Sequence, residues 1–148
     1  MKYREWVFLC AAVILAYAVF FFSAPLVSGV VNDTFYNGQP LYRLTWSHYS
    51  LPLAGAVATF LVIVWLREEF DWPKDVKDYV IFLAGAAISL FIAFVIGVRA
   101  YAYTFVLYGA GTMSLAQLWN FFLFTPFWAL APGVFAGWLG AFLTYYKQ

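Results

Sequence analysis

The chain has 148 residues, of which 66% are hydrophobic and 10% charged, with a formal net charge of +1 and a mean hydropathy of +0.82. Soluble domains carry about 25% charged residues, so this composition argues against a soluble fold, which would have to expose large apolar patches. The near-zero net charge argues against a nucleic-acid surface. Lipid is the expected main solvent, and the fold class expected is an all-α integral membrane protein formed as a single transmembrane domain.

Four apolar segments, at about 6–31, 46–66, 79–99 and 119–146, are each long enough to cross about 30 Å of hydrocarbon at 1.5 Å per residue. Helices are expected because a chain in lipid must satisfy its own backbone hydrogen bonds. The first segment has a basic start, an apolar centre and small residues near Ser28-Gly29, which also describes a signal peptide. It is read here as a span that is kept. The following residues, 32–45, are rich in turn formers, with turns expected at Asn37-Gly38 and Gln39-Pro40. Asn32-Asp33-Thr34 is formally a glycosylation acceptor, expected to stay unmodified because it lies against the membrane.

The second segment carries His48 near its start. Residues 67–78 mix both signs of charge and read as a solvated connector, with Pro73 suited to the first turn of the third helix and Asp71 to its cap. Lys2, Arg4, Arg67, Lys74, Lys77 and Lys147 fall on one side of a four-span chain, and only Arg43 and Arg99 on the other. The positive-inside rule then puts both termini in the cytoplasm. The expected location is the plasma membrane, an organelle membrane being the alternative.

The third segment runs past Arg99 into tyrosines at 101, 103 and 108. A helix from 79 to 108 would be about 45 Å long, so it must tilt, project or break. Arg99 lies 20 residues into the segment, which places it at the outer headgroup level, where an arginine reaches water at little cost. The competing reading is a charge that meets a lipid phosphate or a partner. Gly109-Ala110-Gly111 reads as a turn and Ser114 to Gln117 as a capping box. A short aromatic interfacial segment, 115–124, is expected on the outer surface. A span interrupted by Pro126 and Pro132 follows it.

The most specific pattern concerns helix contact. Gly85, Ser89, Ala93 and Gly97 recur every four residues in the third segment, and Gly133, Gly137 and Ala141 in the fourth. Such strips let membrane helices approach closely, so that van der Waals contact accumulates. The third and fourth spans are expected to pack on each other, with an intermolecular contact as the alternative use of either strip. The tetrapeptide Leu-Ala-Gly-Ala at 53–56 and again at 83–86 is read as chance repetition rather than as an inverted repeat.

Chemistry is sparse. The single cysteine, Cys10, cannot close an intrachain disulfide or build a thiolate metal site, and the single histidine, His48, cannot supply both axial ligands of a haem. No carboxylate lies inside the apolar segments, and there is no phosphate loop or nucleophile elbow. No cofactor or metal is predicted, and a bound lipid is compatible with the surface. The function expected is a non-catalytic accessory subunit, held among other integral membrane subunits by its small-residue faces and aromatic flanks. Energy-transducing and redox complexes are the host class considered. The alternative is a homo-oligomeric transporter or channel with Arg99 and Arg43 ringing its outer mouth. A lipid-directed enzyme built on His48, Arg43 or Arg99 is the third reading.

Overall fold

The computed structural model describes residues 1–105 and 115–146. These form helices α1 (Tyr3–Phe35), α2 (Trp46–Phe70), α3 (Val76–Phe105), α4 (Leu115–Phe124), a 3₁₀ turn (Pro126–Ala129) and α5 (Leu130–Tyr145). Four stretches are long and apolar enough to cross a membrane: α1, α2, Val76–Val98 of α3, and Pro126–Tyr145. The chain is thus an all-helical, multi-pass membrane protein by length and composition. The expected turn at 109–111, the Ser114 cap, Lys147 and the side chain of Arg99 lie outside the described residues.

Local chemistry explains most boundaries. α1 ends where Asn37 and Gly38 turn left-handed, at φ 54° and 83°. The Asn32 side-chain oxygen accepts the backbone N–H groups of Leu41 (3.2 Å) and Tyr42 (2.8 Å), so this asparagine folds the 36–45 loop back over the helix end. Asp71 does not cap α3. It closes α2 in the left-handed region, at φ 54°, with its N–H on the Arg67 carbonyl. Pro73 lies in the connector, α3 starts only at Val76, and its first turn is capped by Asp75, whose carboxylate accepts the Asp78 N–H at 3.0 Å. Asp71 instead pairs with Lys74 at 2.8 Å.

The fourth span begins later than 119. Pro126 has no N–H to continue α4 and its ring opposes the preceding turn. Thr125 stands at the break, its hydroxyl donating to the Phe122 carbonyl (2.8 Å) and accepting from the Phe127 N–H (3.4 Å). Pro132 causes no interruption because it falls in the first turn of α5, where the missing donor is not needed.

Helix α5 is the centre of the bundle, with α1 and α2 packed along it and against each other. The three meet at Ala16, Ala56 and Ala136, all fully buried. Two larger apolar clusters lie on either side of this point. One, around Leu9, Phe60, Ile63 and Ala141, fills the end that carries the termini. The other, around Phe20, Val31, Leu123 and Trp128, fills the distal end, with the Phe20 and Trp128 rings stacked at 5.4 Å.

α3 stands apart. Of its most apolar 18 residues 6% are buried, against 50% for the span that contains α5. Among the described residues it reaches the bundle at two places. Near its start, the Tyr79 ring meets Phe142 edge-on at 5.1 Å, and Trp138 donates its indole N–H to the Tyr79 carbonyl at 2.7 Å. Farther along, Phe94 and Val98 pack on Leu118, Phe121, Phe122 and Phe127.

Candidate functional site

The expected pairing of the two small-residue strips does not occur. Gly133 and Gly137 face α2, not α3. A methyl group on Gly133 would overlap the Pro52 carbonyl oxygen, and one on Gly137 would overlap the Ala56 carbonyl oxygen. Gly55 answers from the opposite side, where an added methyl would stand 2.9 Å from the Leu130 carbonyl oxygen. Ala141 is fully buried and joins the cluster of Leu9, Phe60 and Ile63. Gly140, next to this strip, turns to α1, with 2.9 Å between its built methyl and the Ala12 side chain. Two faces of α5 are therefore consumed by close backbone approach, the condition under which small residues hold membrane helices together.

Among the described residues, nothing packs on the other strip. Gly85, Ser89, Ala93 and Gly97 are all exposed on α3. Nothing lies within 4 Å of a methyl built on Gly85 or Gly97. α3 meets the bundle through Tyr79 and Phe82 near its start and through Phe94 and Val98 farther along, and the four small residues take no part in these contacts.

His48 sits in a closed polar knot at the distal end, 3% exposed. It is the third residue of α2, and its Nδ1 accepts the N–H of the capping residue Thr45 at 3.0 Å. It thus fills the role that Glu or Gln plays in a capping box. Nδ1 must then lack a proton, so Nε2 carries it and donates to the Tyr42 hydroxyl oxygen at 2.7 Å. That oxygen also accepts the Trp128 indole N–H at 3.2 Å, and the hydroxyl donates to the Leu123 carbonyl at 3.5 Å. Burial raises the Tyr42 hydroxyl pKa above 10.0. Both imidazole nitrogens are engaged within the fold, so a metal or substrate would have to displace a structural bond. The partners of the imidazole are Thr45 and Tyr42. The signal that could have found them is Thr45 standing three residues before His48.

Arg43 is exposed and bonds its own loop, donating to the Pro40 carbonyl at 2.8 Å and the Tyr42 carbonyl at 3.4 Å. It lies near the His48 knot through residue 42, but their hydrogen bonds are separate.

The end that carries the termini holds a second polar cluster that pattern reading missed. Arg4 donates through Nε to the Thr144 carbonyl (2.7 Å) and through Nη2 to the Leu143 carbonyl (3.3 Å). A cation thereby satisfies the last carbonyls of α5, where the helix dipole favours it. Glu5, 6% exposed, accepts the Lys2 N–H at 3.2 Å and the Tyr145 hydroxyl at 3.1 Å. The Arg67 guanidinium lies 4.1 Å above the Tyr145 ring and bonds the Pro73 carbonyl. These contacts span up to 140 positions, and a single sequence carries no signal for that pairing.

Among the described residues, no three His, Cys, Asp or Glu side chains lie close enough to hold a metal ion. Both polar clusters tie helix ends together and are internally satisfied; the surface they leave open is that of α3. Compared with protein-family models, with curated proteins and with solved structures, the chain matches none of them.

Proposed function

We propose that this chain is a non-catalytic accessory subunit of a larger integral membrane complex, with energy-transducing or redox assemblies as the host class. One observation carries the reading. The same kind of small-residue strip appears on two helices, and among the described residues only one of the two is packed against the rest of the protein. On α5 it is spent against α2, while on α3 Gly85, Ser89, Ala93 and Gly97 remain open to the surroundings. A helix that buries 6% of its apolar core within its own chain gains little from it. A close-packing face on that helix suits a partner's helix, because in lipid such faces, and not hydrophobicity, drive association. In this reading the termini face the cytoplasm, as the basic residues favour. α4 then lies at the outer surface of the plasma membrane, with its aromatic side chains at headgroup level.

The test is extraction in mild detergent followed by native mass measurement. Stoichiometric recovery with other subunits is expected. Gly85→Leu combined with Gly97→Leu should abolish that recovery while leaving the thermal stability of the isolated chain unchanged. Recovery as a lone stable monomer would refute the proposal, and a homo-oligomer would move the function to transport.

A further inference from the structure

Between α3 on one side and α4 and α5 on the other lies a lateral cleft of about 420 Å³. Its walls include Leu83, Ala87 and Phe91 from α3, Trp119 from α4, and Ala131 and Phe135 from α5. The volume falls in the range of about 300–1,000 Å³ typical of ligand sites. We infer that this cleft binds one acyl chain of a membrane phospholipid, whose headgroup stays at the membrane surface.

Three observations select that occupant. The lining is apolar except for the single indole N–H of Trp119. One donor cannot satisfy both carbonyl oxygens of a quinone ring or the several acceptors of a headgroup, whereas a bare hydrocarbon chain needs no partner. The lining of α3 runs from Leu83 to Phe94, about 16 Å of helix rise. One leaflet of hydrocarbon is about 15 Å deep, half of a 30 Å core. The cleft is therefore about one acyl chain long; it is centred near the middle of the Val76–Val98 span and ends about 6 Å short of Val98, within reach of a chain whose headgroup lies on the distal side.

Closure at both ends is the third observation. At one end the Trp138 to Tyr79 hydrogen bond and the Tyr79–Phe142 ring contact join α3 to α5. At the other, Phe94 packs on Phe122 at 5.2 Å and on Phe127 at 5.7 Å. A transmembrane helix from a partner is about 10 Å wide and must run the whole thickness of the bilayer. It could not lie in this cleft without opening one of those ends. An acyl chain enters sideways from the leaflet and needs no such opening. The inference is independent of the proposed assembly role, which uses Gly85, Ser89, Ala93 and Gly97, none of which lines the cleft.

The test uses the full-length protein in phosphatidylcholine vesicles, then stripped in detergent and measured by native mass spectrometry. One phosphatidylcholine per chain should survive stripping. Ala87→Trp fills the cleft and should reduce the retained lipid at least tenfold. Ala93→Trp, on the exposed side of α3, should retain it. After exhaustive delipidation under harsher detergent, the Tm should rise on adding phosphatidylcholine back to the wild type and stay unchanged on adding it to Ala87→Trp treated in the same way. If Ala87→Trp does not fold, Ala131→Leu, a smaller filler on the opposite wall, serves in both measurements. Equal lipid retention in the filled variants would overturn the assignment. So would a wild type without retained lipid, or retention of a polyprenyl quinone or a second polypeptide that the fillers displace.

Discussion

Replacing Gly137 with alanine is expected to part α2 from α5 and destabilise the bundle by about 1–2 kcal/mol. The added methyl overlaps the Ala56 carbonyl oxygen and lies 3.0 Å from the Ala56 Cα and 3.1 Å from its carbonyl carbon. All three are backbone atoms of a neighbouring helix, so no side-chain rotation relieves the clash. Restoring ordinary contact at roughly 3.5 Å requires the helices to separate by about 1 Å. A gap of that size forfeits about a quarter to a half of each van der Waals well it crosses, and overpacking of this kind costs about 1–3 kcal/mol. Alanine recovers at most about 1 kcal/mol through helix propensity. The measurement is unfolding by SDS titration in mixed micelles, followed by tryptophan fluorescence, with Gly85→Ala in parallel. No described atom lies within 4 Å of the methyl in that second variant, so no steric cost applies, and its stability should equal wild type or exceed it by up to about 1 kcal/mol. A Gly137→Ala protein as stable as wild type, or a Gly85→Ala protein equally weakened, would refute the argument from close approach.

Two further outcomes concern the distal knot. His48→Ala strips the Thr45 N–H and the Tyr42 hydroxyl oxygen of partners, which should cost about 1–3 kcal/mol; His48→Gln should lose less, because glutamine can still accept from the capping residue. Thermal unfolding of the two variants checks this, and equal losses would rule out the capping role. The Tyr42 hydroxyl is held above its ordinary pKa of 10.0 chiefly by burial, so its contribution to stability is full below pH 10 and is lost as pH rises through the folded value. Melting temperature should therefore fall with alkaline pH less steeply in Tyr42→Phe than in wild type, and parallel slopes would exclude Tyr42 as a source of the alkaline loss.

The spans were legible because an apolar run of the right length in lipid leaves the backbone few options but a helix. The left-handed turn at Asn37-Gly38 and the break at Pro126 were legible for the same local reason: the residue itself forbids the alternative. Partner choice was not. The tetrapeptide at 53–56 places Gly55 and Ala56 on the closest helix seam in the protein, whereas the identical tetrapeptide at 83–86 leaves Gly85 facing outward. Nothing within four residues separates the two cases. What separates them is tertiary: α2 lies against α5 at Gly55, whereas α3 meets the bundle through Tyr79, Phe94 and Val98. The Asp71 assignment failed for a local reason. An aspartate beside a helix end can close the preceding helix in the left-handed region as well as open the next one, and here the geometry of α2 decided. Residues 42, 48 and 128 meet because helix ends converge, which no spacing encodes.

The central place of α5 also sets an order of events during synthesis. It is the last of the five helices to leave the ribosome, yet both α1 and α2 are keyed to its glycines. Until Leu130–Tyr145 enters the bilayer, the Pro52 and Ala56 backbone has only lipid to face, and Arg4 and Glu5 lack the carbonyls and the hydroxyl they will later bind. The nascent protein must therefore wait as a loose set of inserted helices and lock in a single late step. A chain interrupted before Pro126 would hold three inserted spans with no keystone, and it would present to the membrane's proteases the seam that the finished protein hides.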